Sequence, residues 1–354
     1  MASAAAALVG AMDAKQRTVA QGDFDLDGTR REWSYLPEPV RPGLPLSALD
    51  DAQRKLAHEL IVASTSMPGY AKVVSIMAME HVRRALMQAS APAIAHLFDP
   101  ERYCFRVFGE PGSWRPDGTQ PWGWQLAGHH VSLNFTIAGT RVSGTPCMLG
   151  SVPHVYGTLS PLADDEEAGY RFLGLLTPAQ RADAIIYHRP PPDFATRLVP
   201  RIGAAEMPDH VFEPEPDYRI DDQEREVLSY IRSGPKGIAG SVLSRGQMDY
   251  LMVVIAGFAG RLPDDVGASA LRKAKAAGDA SISFAWAGGV GPGERHYYRI
   301  QAPGLLIEHD NTQSGGKHVH SVWRDPDNDF GDDILAQHYR AEHLSSGDKQ
   351  FFRG

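Results

Sequence analysis

Apolar positions recur at two different spacings along this chain, and the changes of spacing mark its elements. Between residues 52 and 64, Leu56, Leu60 and Ile61 fall on one side at helical intervals, behind a start signal formed by Ser47, Asp50 and Asp51. The Pro68-Gly69 pair separates this stretch from a second one over 70–88, which carries Val73, Val74, Met77 and Val82; a short segment over 93–98 follows Pro92. From Tyr103 the period drops to two, that of a strand with one buried face, over 103–109, 122–135 and 141–149. Helical spacing returns over 161–176, again after Thr177-Pro178, and over 221–233, 245–260 and 264–277. Strands follow at 282–287, 297–300, 305–308 and 318–323, before a last helix near 332–343. The order predicts an α+β fold of antiparallel β-sheet units within a helical shell.

Residues 1–46, with Pro and Gly at short intervals after Trp33, read as an extended N-terminal arm. Residues 47–354 read as a single composite α+β domain, with β-units at about 103–150 and 282–323. The Pro-rich segment 184–216 reads as a surface connection or a lid. The two β-units echo one another: Trp122 and Tyr298, Gln125 and Gln301, Gly128 and Gly304, Val131 and Ile307, and Thr136 and Thr312 are each 176 residues apart. Either the units are a pseudo-duplicated pair meeting around one site, or two hairpins match by chance.

Composition narrows the function classes. A net charge of −8 with no Lys/Arg-rich run argues against nucleic-acid binding. No apolar run approaches the ~20 residues of a membrane-spanning helix, and the Ala-rich start lacks the continuous apolar core of a signal peptide. With Cys104 and Cys147 the only cysteines, a reducing compartment and a cytoplasmic location are expected.

The candidate chemistry is concentrated in histidines. On a strand, His318 and His320 project from one face, and two imidazoles side by side suit a divalent ion. Glu308 ends the apolar run before them, and 310–316 reads as the turn that would fold this carboxylate onto both rings. His129 and His130 interrupt another β-prone run; one of them is expected as a ligand, and both only if Gly128 makes a bulge. The expected metal ligands are therefore His129, His130, Glu308, His318 and His320, holding Fe, Zn or Cu. Glu308 and Arg324 are the candidate catalytic residues, Arg324 either gripping a substrate carboxylate or pairing with Asp325 or Asp329. Trp122, Trp124 and Trp323 line the site or fill the core, Asn134 or His309 is a candidate to orient a ligating ring, and His338 is a further candidate nitrogen. No GxSxG elbow, Walker loop, dinucleotide fingerprint or HExxH motif is present.

The run Trp122-Gly123-Trp124-Gln125-Leu126-Ala127-Gly128-His129-His130, then Thr145-Pro146, Gly150-Ser151-Val152-Pro153, and His318-Val319-His320-Ser321-Val322-Trp323-Arg324-Asp325-Pro326 with Asp329-Phe330-Gly331, resembles domain-of-unknown-function family 3500 over about 33–339. The resemblance implies one integral domain and a site shared by the two histidine motifs. The expected function is that of a metal-dependent enzyme acting on a small organic substrate. An oxidoreductase with a mononuclear His/Glu site is favoured, because no conspicuous general base besides Glu308 is seen. A Zn-dependent hydrolase and a non-catalytic metal- or small-ligand-binding protein are the alternatives. Neither nucleic acid nor membrane is an expected partner, and the oligomeric state is left open.

Overall fold

The computed structural model describes residues 1–24, 28–111, 120–207 and 219–342, apart from the side chains at 338, 341 and 342. Among the described residues it is an α+β fold built on one thirteen-stranded sheet that does not close into a barrel. Eight strands carry it: β1 (Cys104–Phe108), β2 (Trp122–Gly128), β3 (Val131–Ala138), β4 (Cys147–Ser151), β5 (Ser283–Gly288), β6 (His296–Ala302), β7 (Leu305–Gln313) and β8 (His318–Arg324). Their spatial order is β1-β2-β3-β4-β8-β7-β6-β5, with every neighbouring pair antiparallel. The order is a palindrome about the β4/β8 pairing. The echoing residues lie on corresponding strands, β2 with β6 and β3 with β7, apart from Gly304 in the turn after β6.

The correspondence reaches well beyond the hairpins. Helices α1 (Ala2–Ala11), α2 (Ala14–Ala20), α3 (Asp51–Ser64) and α4 (Met67–Ser90) precede the first unit; α5 (Ala163–Leu175), α6 (Pro178–Ala184), α7 (Arg245–Ala259) and α8 (Asp264–Ala277) precede the second. Four of them start with capping boxes that place Gln at the third helical position: Asp13/Gln16, Asp50/Gln53, Thr177/Gln180 and Ser244/Gln247. The amides of Gln16 and Gln53 bond each other and the carbonyls of Ala48 and Ala11. Gln180 and Gln247 repeat this knot on Val242 and Leu175. Each unit also adds a parallel and an antiparallel edge strand, Gln21–Gly22 and Leu44–Pro45 on β1, Ile185–Tyr187 and Ile238–Ala239 on β5.

The N-terminal 46 residues therefore do not begin as an extended arm. Residues 2–20 form α1 and α2, and Ala5 and Leu8 are buried. An alanine run has high helix propensity but little apolar contrast between its faces, so periodicity misses it. The turn expected at 310–316 also shrinks, because β7 continues to Gln313 and keeps Asp310 in the strand.

Helices α1 to α8 pack on one sheet face, where Trp124 is stacked between Phe105 and Phe135, with ring centroids 6.1 and 5.0 Å away. Burying each such ring stabilises the fold by about 1.5–3 kcal/mol. The other face is covered by irregular chain together with the helices Asp222–Leu228 and Asp332–Glu342. Trp33, Tyr35 and Phe194 cluster there with Met148, Tyr297 and Val322. The Pro-rich segment belongs to this cover: residues 190–197 are buried, which corrects the expectation of a surface loop, while 208–216 lie outside the described residues. Among the described residues no helix is long and apolar enough to cross a membrane.

Candidate metal centre

His129 and His130 are the two turn residues between β2 and β3, since Gly128 pairs directly with Val131. His130 has φ of 65°, a left-handed conformation that costs a residue with a Cβ about 1–2 kcal/mol. It is held there by two backbone bonds: its N–H donates to the Tyr35 carbonyl at 2.9 Å, and its carbonyl accepts from Gly150 at 2.8 Å. No bulge is needed to bring both rings together; they stack with centroids 3.7 Å apart. Gly128 has a different task. A Cβ there would lie 2.3 Å from the ring of Tyr103, whose hydroxyl donates to the His129 carbonyl.

Across the β4/β8 seam, His318 and His320 project toward this turn from one face of β8, as the HxH spacing predicts. The Nε2 atoms of His130 and His318 are 2.7 Å apart. His320 completes a group in which each ring offers one nitrogen within 4.8 Å of the others. Gly150 makes room for it, because a Cβ would sit 2.8 Å from His130 Cδ2 and 3.0 Å from His320 Cδ2.

Carboxylates flank the trio. His320 Nδ1 lies 3.2 Å from Asp193 and 3.4 Å from Asp310, contacts too poorly aligned to be hydrogen bonds. Asp193 is itself fixed by the Tyr35 hydroxyl, Arg197 Nε and the Phe194 N–H. Asp310 is fully buried, and neither of its oxygens has a hydrogen-bond partner among the described residues. On the opposite side His129 Nδ1 is 2.7 Å from Glu80 of α4.

Protonation follows from these surroundings. Burial, reinforced by neighbouring imidazoles, holds His130 and His318 well below the usual histidine range, so both are neutral. Burial alone would lower His320 too, but Asp193 and Asp310 raise it to about 10. Burial raises Asp310 to about 7 against the pull of His320. The position between these groups favours positive charge, whether a proton or a metal ion supplies it.

The structure places the other expected residues elsewhere. Glu308 is on the same face but belongs to no His group; it accepts from the N–H groups of Ala195 and Thr196, the Thr196 hydroxyl and the Tyr297 hydroxyl, at 2.6, 3.2, 2.9 and 3.1 Å. Arg324 is buried in a pairing with Asp329 at 2.7 Å and the Thr196 carbonyl at 3.1 Å. Trp122, Trp124 and Trp323 belong to the helix-side core. Asn134 donates to Pro146 and Ser132, His309 lies on the far sheet face, and the side chain of His338 is outside the described residues. Asp193, Asp310 and Glu80 went unseen in the sequence. The alternation on β8 finds Asp310 once its register is known, since Asp310 pairs across from His320; nothing local identifies Asp193 or Glu80.

Fold and site together define an α+β protein with buried His and carboxylate groups arranged so that they can hold a metal ion. Residues 1–332 match the family described as protein of unknown function DUF3500, and the chain belongs to that family. No curated protein and no solved structure matches it.

Proposed function

We propose that this protein is a metal-dependent oxidoreductase acting on a small organic substrate, with His130, His318 and His320 holding a single ion. The observation that carries the reading is the pair of neutral imidazoles, His130 buried and His318 half-buried, whose Nε2 atoms face each other at 2.7 Å. Two lone pairs at that distance repel unless a proton or a cation lies between them. An all-nitrogen donor set suits Cu, Fe or Zn and disfavours Mg and Ca.

In this reading the negative charge of Asp193 and Asp310 beside Nδ1 of His320 keeps the ring's remaining proton on that nitrogen, which leaves Nε2 free to bind the ion and increases its basicity. Glu80 orients His129, whose stacked ring holds His130 in place. Three neutral donors leave a divalent ion its charge and at least one open position for substrate or dioxygen. Redox chemistry is favoured by the oxidisable rings that lead to the site. Trp33 is 6.0 Å from Tyr35, and Tyr35 is 5.3 Å from His320, centroid to centroid. Such a chain can deliver or remove an electron without opening the site to water.

A second reading, Zn-dependent hydrolysis, is supported by Asp310, a buried carboxyl at about 7 of the kind that serves as a general base. Metal analysis of protein purified without a histidine tag or chelator, followed by oxygen-uptake measurements on the copper-, iron- and zinc-loaded forms, separates the two. Uptake with copper or iron supports the oxidoreductase. Zinc alone with no uptake supports the hydrolase, and failure of every ion to bind sinks both.

A further inference from the structure

The far face of the sheet carries a second group of donors. Glu166 of α5, His296 of β6 and His309 of β7 each present one ligand atom within 4.8 Å of the others. His296 and His309 are fully buried, and both ring nitrogens of His309 have no hydrogen-bond partner among the described residues. His296 is already oriented: its Nδ1 is 2.9 Å from the Glu294 carbonyl, so this nitrogen carries the proton and Nε2 is the bare one. That Nε2 faces Glu166 Oε1 at 3.6 Å and is itself unpartnered. A bare nitrogen facing a carboxylate is repulsive without a cation between them. Asn311 steadies the carboxylate by donating to Glu166 Oε1 at 2.8 Å.

The correspondence between the two units shows that His309 and Glu166 are not required by the scaffold. In the register that aligns Val131 with Ile307 and Thr136 with Thr312, His309 corresponds to Leu133, a core residue of the first unit. In the register set by Gln16 and Gln180, Glu166 corresponds to Ala2. The same strand and helix positions are apolar in one copy and ligand-bearing in the other. Leaving both His309 nitrogens unpaired carries a desolvation penalty that leucine avoids.

We infer that Glu166, His296 and His309 form a second metal site, distinct from the His130 site, for a first-row divalent cation of the zinc type. Two imidazoles and one carboxylate are donors that such ions accept, and the 20% exposure of the Glu166 side chain opens a fourth position to solvent. The inference does not depend on the enzymatic reading of the first site.

The test counts metal. Full-length protein stripped with chelator and equilibrated with Zn(II) is desalted and analysed, alongside His309→Leu, Glu166→Ala and His130→Ala, with Co(II) as a spectroscopic probe. Two equivalents are expected in the unaltered protein and one in each variant, the Co(II) spectra lost in E166A and H130A adding up to the full spectrum. His309→Leu should raise the melting temperature of the metal-free protein and abolish the stabilisation by the second equivalent. Glu166 sits partly exposed on a helix, so E166A tests the site even where H309L misfolds. Retention of two equivalents in both E166A and H309L overturns the second site. So does a single equivalent that H130A abolishes and E166A keeps, an outcome that leaves the first site standing. A single equivalent lost in E166A and kept in H130A supports the second site and removes the first.

Discussion

Gly150 offers the sharpest perturbation of the first site, because it lies between two proposed ligands and bonds neither through a side chain. A methyl group at this position would meet His130 Cδ2 at 2.8 Å and His320 Cδ2 at 3.0 Å, against an ordinary contact of 3.4 Å or more. The rings must retreat by roughly half an ångström each, in opposite directions, so the gap between their nitrogens widens by about 1 Å. Metal–nitrogen bonds tolerate departures of only about 0.2 Å. Gly150→Ala is therefore expected to lose one ligand and weaken metal binding at least ~100-fold, more than the removal of an orienting partner does. Overpacking should cost about 1–3 kcal/mol of stability, which a fold of this size withstands. Competitive chelator titration gives the affinity, and circular dichroism with thermal melting reports the fold. Folded G150A protein that binds metal within threefold of the unaltered chain would refute the proposed ligand geometry.

Asp310→Asn keeps the shape of the buried side chain but removes the charge facing His320, and should weaken metal binding about 10–100-fold with an unchanged dichroism spectrum; unaltered affinity would show that Asp310 plays no part. Burial raises Asp325 from 3.8 to about 6 despite Lys273, so ionising it costs the folded state about 3 kcal/mol. Its contribution to stability is present below pH 3.8 and lost as pH rises through about 6; Asp325→Asn should gain on the unaltered protein across that window in urea melts, and a constant difference from pH 4 to 7 would contradict this. Gln53→Ala and Gln247→Ala remove equivalent residues of the two amide knots and should each cost about 1–3 kcal/mol in the same assay, and a large effect in one with none in the other would show that the knots are not equivalent.

What could be read from the chain was local. The strands bearing His318-Val319-His320 and the turn at His129-His130 are encoded by alternation within a few residues, and those side chains do meet. Glu308 was misplaced because an acid ending an apolar strand looks like a ligand, whereas its oxygens are taken up by a segment more than a hundred residues away in sequence. Asp193 reaches His320 from a Pro-rich stretch with no periodicity to mark it. The duplication was legible only in its hairpins. Its clearer signal, a cap residue three positions before glutamine at Asp13, Asp50, Thr177 and Ser244, consists of polar residues that a search for hydrophobic pattern passes over.

The seam between the two units has a consequence for how an ion and the fold depend on each other. His130 and His318 stand 188 residues apart in sequence and are brought together where β4 meets β8. In an unfolded chain, an ion gripping both would have to close that whole loop, at an entropic cost of about 5 kcal/mol. For the proposed site, the denatured protein would therefore compete poorly for metal, and unfolding would release the ion. If the proposed site binds its ion, stability should climb with free metal by about 1.4 kcal/mol per decade above the dissociation constant, and the supply of that ion would then set how long the fold lasts.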